Sequence, residues 1–264
     1  MTLTLADDLA VALTLAAEAD LIAIDRYRAQ DLDVRLKPDR TQVTDADTRV
    51  ERMIRDHLGS ARPDDAILGE EFGGGDPHAA GRQWIVDPID GTSNFVRGVP
   101  IWGCLLALVV DGVPQLGVVS APALERRWWG ATGHGAWVQV HGEAARSIRV
   151  SAVDDLADAT LSYNSLKGWD DAGRSEQLLE LSRAVGRTRA FGDLWSYMLL
   201  AEGAIDIAGE FDMKPWDIAA LVPIVREAGG TTTTAEGDDR LDTGSIIATN
   251  GILHEAVLER VAVR

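Results

Sequence analysis

Cysteine is almost absent from this chain. Cys104 stands alone in an apolar run, so neither a disulfide framework nor a thiolate metal site can form within one molecule, and a reducing compartment is the simplest home. Basic residues are scarce as well. Lys and Arg total 25 against 42 Asp and Glu, a formal net charge of −17, which argues against holding nucleic acid or an anionic membrane through a basic face. A small phosphorylated substrate survives this exclusion, because divalent cations reverse the field of a carboxylate cluster. Long hydrophobic runs are missing too: the most apolar uncharged stretch, residues 98–110, falls short of the ~20 residues a membrane span needs. The opening MTLTLADDLA has neither the basic start nor the small-residue cleavage pattern of a secretory leader, which predicts a cytoplasmic protein. There is no internal repeat and no Ser/Gly-rich linker.

What is present is an ordinary globular composition, 46% hydrophobic and 25% charged over 264 residues, enough to bury one compact core or two lobes. Apolar positions at helical spacing from Leu5 to Tyr27 predict a long amphipathic helix. Residues 37–44 read as a loop, and Val50, Ile54 and Leu58 mark a second helix closed by Gly59. Trp84, Ile85 and Val86 predict a short strand that stops at Asp87-Pro88, since proline cannot continue a central ladder. Two apolar runs, 101–110 and 115–120, flank the turn signal Asp111-Gly112 and predict antiparallel neighbours, with a further strand over 136–140.

Beyond about residue 146 the pattern alternates: strand 160–163, helix 175–185, strand 187–191, helix 194–201, strand 205–208. A strong helix is expected over 216–228, with Pro215 at its start, Gly229-Gly230 at its end and a bend or a weakened turn at Pro223. Strands at 231–234 and 245–248 and a terminal helix follow. The pattern divides into an N-terminal α+β lobe, 1–145, and a C-terminal α/β lobe, 146–264, sharing an interface.

Three acidic groups stand out by placement: Glu70-Glu71 after the apolar stretch 66–68, Asp87 and Asp90 around Pro88, and Asp217 at the start of the last strong helix. Each has an ordinary reading alone: solvated surface for Glu70-Glu71, a turn for Asp90-Gly91, a helix cap for Asp217 and a solvated loop for Lys37-Pro38-Asp39. His57 reads as a packed or half-exposed side chain, and Trp128 and Trp129 as strand residues. Hard divalent cations want several oxygen ligands in near-octahedral geometry. Asp87 and Asp90 could converge on one point with the Ile89 carbonyl.

Together these segments resemble the inositol monophosphatase family of metal-dependent, lithium-sensitive phosphatases. The resemblance is carried by VTDAD at 43–47, GEE at 69–71, WIVDPIDGTSNF at 84–95, and WDIAA at 216–220 followed by EAGG at 227–230. Ser93 stands where the family commonly has threonine, a change expected to be neutral. The resemblance implies a layered αβαβα fold of the α+β class with two lobes, and up to three Mg²⁺ ions per subunit. Glu70, Asp87 and the Ile89 carbonyl would hold one ion, Asp87, Asp90 and Asp217 a second, and Glu70 would sit beside a third. It also implies an Asp47–Thr92 dyad that activates the attacking water, phosphate contacts from the Gly91 and Thr92 amides, and a homodimer.

The string FGDLWSY at 191–197 and the run 213–230 resemble the histidinol-phosphate phosphatase members of this family. Where typical inositol phosphatases tend to carry a small neutral residue, this chain has Asp193. Asp193 with Glu210 could pair with the ammonium of histidinol phosphate through charge-assisted hydrogen bonds; the ordinary reading of Asp193 is a cap on the helix that follows. No basic cluster suited to a second phosphate accompanies these segments. The sequence therefore predicts hydrolysis of L-histidinol phosphate. Inositol 1-phosphate or another small phosphomonoester is the alternative, and a non-enzymatic regulatory binding role a distant third.

Overall fold

A computed structural model describes residues 4–78 and 80–262; the outer ends of the two predicted lobes, 1–3 and 263–264, lie outside the described residues. The chain begins with α1 (Leu5–Arg26), the hairpin β1 (Val34–Leu36) and β2 (Gln42–Thr44), α2 (Asp45–Ala61), β3 (Ala66–Gly69), β4 (Arg82–Asp90) and the short α3 (Thr92–Arg97). It continues through β5 (Gly103–Val110), β6 (Val113–Ala121), β7 (Arg126–Ala131), β8 (Ala136–Val140) and β9 (Arg146–Ser147). The rest is β10 (Thr160–Ser162), α4 (Leu166–Asp171), α5 (Ser175–Ala184), β11 (Arg187–Arg189), α6 (Asp193–Ala201), β12 (Ile207–Phe211), α7 (Pro215–Ile218), α8 (Leu221–Glu227), β13 (Thr231–Thr233), β14 (Ser245–Thr249) and α9 (His254–Val261).

Strands β3 to β9 form one seven-stranded sheet in chain order, and a five-stranded sheet has the order β11-β10-β12-β14-β13. Alternation along each strand assigns the faces. In β5, Cys104, Leu106 and Leu108 pack with Ala12, Leu15, Ala16 and Ala19 of α1 and Val50, Ile54 and Leu58 of α2. The other face, with Leu105, Ala107 and Val109, packs against α6 and α8. The same middle layer takes Ala208 of β12 and Ile246 and Ala248 of β14. The far side of the small sheet, with Ile207 and Ile247, buries Leu178 and Leu181 of α5 and Val257 of α9. These interleaved cores make the five layers αβαβα. Among the described residues no helix is long and apolar enough to cross a membrane.

Four local expectations are corrected. The segment read as a loop over 37–44 ends in β2, whose residues pair antiparallel with Val34–Leu36. Helix α2 runs past Gly59 to Ala61, where the Arg62 amide closes it on the Leu58 carbonyl. Strand β4 does not stop at Pro88: it runs to Asp90 with a register shift between Asp87, opposite Leu105, and Asp90, opposite Gly103. The expected helix over 216–228 is two helices, separated at Ala219 and Ala220. Pro223 has no N–H for the Ala219 carbonyl and its ring crowds that carbonyl, so the ladder fails a turn before the proline.

Candidate active site

The bulge in β4 is what brings Asp87 and Asp90 together. In a regular strand, residues three apart face opposite sides of the sheet; two residues, Pro88 and Ile89, opposing the single Cys104 reset that parity. Asp87 is buried and its Oδ1 accepts the Ile89 amide at 3.0 Å. Asp217 approaches from the first turn of α7, where Pro215 occupies the first helical position and Asp217 Oδ2 accepts the Lys214 amide at 2.7 Å. One carboxylate oxygen from each of Asp87, Asp90 and Asp217 lies within 4.8 Å of the others.

Such crowding is costly for three anions. Burial first, then the charges of Glu70, Asp90 and Asp217, pushes the Asp87 carboxyl well above the usual carboxylate range. Asp90 is raised likewise by burial and by Asp193 and Asp217. Burial pushes Asp217 up to about 7, against the lowering effect of the Lys214 amide. An all-oxygen cluster of this kind is relieved by protons or by a hard divalent cation.

Beside the cluster stands Asp47, fully buried as the third residue of α2. Its Oδ2 accepts from the Thr44 amide at 2.8 Å and the Thr44 hydroxyl at 2.5 Å, closing the helix N-terminus. Its Oδ1 lies 3.3 Å from the Thr92 hydroxyl, which is also 3.0 Å from the Ile89 carbonyl. Burial pushes Asp47 up to about 6 despite the Thr44 bonds. Thr92 opens α3 immediately after Gly91, whose φ is +80° and whose missing Cβ would lie 2.9 Å from the Ile101 carbonyl oxygen. Only glycine suits that place.

Glu70 is not one of the three converging carboxylates. It and Glu71 each accept from Lys37 Nζ at 2.7 Å, which corrects the solvated reading for Lys37 alone: it is half-buried between the two acids, while Pro38 and Asp39 are exposed as expected. Burial pushes Glu71 up to about 7, with the Lys37 bond opposing it. Behind them the fully buried Glu51 accepts the Glu71 amide at 2.7 Å and pairs with Arg55 at 2.8 Å. Sequence reasoning gave Glu51 no role, although its place beside Val50 on the apolar face of α2 was the available signal.

A cavity of about 300 Å³ opens from Asp90 and Asp217 toward Asp193 and Glu210. Asp193 is not the cap of α6. Its side chain makes no capping bond; Oδ2 accepts from Asn94 Nδ2 at 2.7 Å, while the Leu194 amide goes to Asp90 Oδ2 at 2.8 Å. Burial raises the Asp193 carboxyl, and the Asn94 bond opposes it. Glu210 is pushed up to about 8, by burial before all else. Neither Asn94 nor Asn164, which holds Glu210, was singled out by the sequence.

This fold and this constellation define a class. The model of the inositol monophosphatase family matches residues 5–263, and the chain belongs to that family, as the WIVDPIDGTSNF string led us to expect. The chain is 54% identical to a histidinol-phosphatase of Mycobacterium tuberculosis over 97% of its own length and 98% of that protein's. A histidinol-phosphatase of Streptomyces coelicolor is 48% identical, with 96% of each chain covered. Among solved structures, an inositol monophosphatase from Zymomonas mobilis superposes with a TM-score of 0.83 at 31% identity, covering 99% of this chain and all (100%) of that one.

Proposed function

We propose that this chain is a divalent-metal-dependent phosphomonoesterase that hydrolyses L-histidinol phosphate to L-histidinol and phosphate, a step of histidine synthesis. The observation that carries the reading is the meeting of two acid groups: Asp87, Asp90 and Asp217 converge, and the cavity lined by Asp90 and Asp217 is also lined by Asp193 and Glu210. A phosphate needs cations between itself and the first group, and a substrate ammonium suits the second. The names of the relatives at 54% and 48% identity support the same substrate.

The residues fit Mg²⁺, since their donors are all oxygen and crowded, with Asp87 buried and Asp90 and Asp217 half-buried. Asp87, Asp90 and Asp217 would hold one ion; Glu70, with Asp87 and the Ile89 carbonyl, would serve a second, and Glu70 a third, once Lys37 yields its place. When bound, such ions lower the pKa of a water nucleophile and neutralise charge on the leaving oxygen. The Thr92 hydroxyl orients the attacking water and passes its proton to Asp47, whose carboxyl is buried and poised near neutrality. Amides of Gly91 and Thr92 hold phosphate oxygens at the start of α3, where helical N–H groups lack intrahelical partners. Asp193 and Glu210 take the substrate ammonium, their anionic forms favoured by its charge.

The reading includes a homodimer, from the family resemblance, and a cytoplasmic location, from composition; light scattering on the purified chain tests the first. The substrate is tested by phosphate release from histidinol phosphate and inositol 1-phosphate with Mg²⁺. Preference for the second would move the chain to the inositol phosphatases. Turnover of neither, with cellular function kept in Asp90→Asn, would favour a binding role.

A further inference from the structure

Glu210 faces the cavity from β12, but its orientation is set from behind. Its Oε2 accepts from Asn164 Nδ2 at 2.5 Å and lies 3.5 Å from the Tyr197 hydroxyl. Asn164 follows β10 and belongs to none of the segments that carry the family resemblance. Its backbone is left-handed, with φ of +50°, a region asparagine visits far more readily than most residues. The other end of its amide, Oδ1, meets two serine hydroxyls: Ser162 Oγ at 3.0 Å, and Ser196 Oγ in a shorter contact. Both serines are fully buried, their oxygens 2.7 Å apart, and the Phe191 amide donates to Ser162 Oγ at 3.2 Å.

Proton counting gives this group a direction. Paired with a substrate ammonium, Glu210 is ionised and only accepts, so the Asn164 amide turns its NH₂ toward Glu210 and its oxygen toward the serines. Each hydroxyl has one proton to give. The Phe191 amide fills an acceptor site on Ser162, the Ser162 and Ser196 hydroxyls converge on Asn164 Oδ1, and Asn164 donates to Glu210. Whichever serine donates to the other, Asn164 Oδ1 receives a hydroxyl proton and its NH₂ is left for the carboxylate. The Asn164 amide also lies 3.5 Å from the Asp193 backbone carbonyl, so the same group reaches Glu210 and the first residue of α6. Of the contacts on Glu210, the Asn164 bond is the chief one opposing the rise in proton affinity caused by burial, Asp193 and Asp217.

We propose that Asn164 is a positioning residue for substrate choice: held by Ser162 and Ser196, it fixes the Glu210 carboxylate toward a cationic leaving group and so sets the preference for ammonium-bearing over neutral phosphomonoesters. This rests on the substrate reading above. The hydrogen bonds of Asn164 go to Glu210, Ser162, Ser196 and the Asp193 carbonyl, and not to Asp87, Asp90 or Asp217.

The test uses the full-length enzyme with Mg²⁺ and compares kcat and KM for histidinol phosphate and glycerol 2-phosphate. Asn164→Gly accepts the same backbone angle and removes the amide. The ratio of kcat/KM between the two substrates is expected to fall by about tenfold, the size of a hydrogen bond to a charged group, chiefly through KM. In a Glu210→Gln background the same change should alter the ratio by less than about twofold, because a residue acting through another has no separate effect once that one is changed. Ser196→Ala, which leaves Asn164 in place, should shift the ratio in the same direction by a smaller factor and serves if Asn164→Gly does not fold. An equal loss on both substrates, or an undiminished effect without Glu210, would overturn the inference and leave the substrate reading standing. A wild-type enzyme that does not prefer histidinol phosphate would overturn both.

Discussion

Asp90 Oδ2 accepts the backbone N–H of Leu194 at 2.8 Å, across 104 residues of chain. The contact ties the last residue of β4 to the first turn of α6, so one carboxylate belongs to the metal-like cluster and also anchors the helix that carries Asp193. The two duties can be separated. Asp90→Asn keeps an oxygen for Leu194 but loses the charge, and is expected to fold normally while turnover is nearly abolished. Asp90→Ala should lose activity and also about 1 kcal/mol of stability, the usual scale of a lost helix-terminus acceptor. Thermal melts alongside phosphate release check both; near-normal turnover of Asp90→Asn at saturating Mg²⁺ would remove Asp90 from the site.

Thr92 and Asp47 should act as a pair. Thr92→Ala removes the hydroxyl 3.3 Å from Asp47 Oδ1 and is expected to lower kcat by about a hundredfold or more, the scale of general acid–base assistance. Asp47→Ala should match that loss and also destabilise α2, because Oδ2 closes its N-terminus. Single-turnover rates for the two variants and the double variant would show whether the effects overlap; additive losses would contradict the pairing.

The buried acids make stability depend on pH in a definite direction. Asp47 (about 6), Asp217 (about 7), Glu71 (about 7) and Glu210 (about 8) all bind their protons more tightly folded than unfolded. The stability this contributes is complete below the unfolded carboxylate range near pH 4 and is lost as pH rises through those values. His254, lowered by burial, works the other way, but its gain is complete once pH passes the ordinary histidine range, so the raised acids decide the trend above it. In metal-free buffer Tm should therefore fall between about pH 6 and pH 8, and Mg²⁺ should restore most of it, with affinity that increases with pH because binding expels protons. Differential scanning calorimetry with and without EDTA measures this. A metal-free Tm that rises across that interval would refute the electrostatic account of the cluster.

Asp193 offers a clean charge test because Asp193→Asn can still accept from Asn94. Only the charge is lost. The expected penalty on histidinol phosphate is about 1.5 to 3 kcal/mol in kcat/KM, the range for hydrogen bonds to charged groups, with a much smaller effect on a neutral phosphomonoester. Equal losses on both would mean that Asp193 serves only to hold Asn94.

Much of this architecture is local in origin and was legible for that reason. The helical spacing from Leu5 and the turn at Asp111-Gly112 each encode their element within a dozen residues or so. The acid positions were legible as a set because the strings around them are distinctive. What escaped is what neighbours decide at a distance. Pro88 correctly signals a break in pairing, but whether the strand ends or bulges depends on Gly103 and Cys104 across the ladder. Lys37 looks solvated until β1 and β2 fold it onto Glu70 and Glu71. Asn164 gains its meaning only through Ser196, 32 residues on, and Glu210, 46 residues on.

One cavity, lined by Asp90, Asp217, Asp193 and Glu210, is proposed to serve both a phosphate, through bound cations, and a substrate ammonium. The most direct measurement is steady-state phosphate release by the Mg²⁺-loaded enzyme from histidinol phosphate and inositol 1-phosphate side by side, repeated after EDTA. The account predicts a large kcat/KM preference for histidinol phosphate, abolished by the chelator and recovered with Mg²⁺. Full activity in metal-free buffer, or equal or better turnover of inositol 1-phosphate, would contradict it.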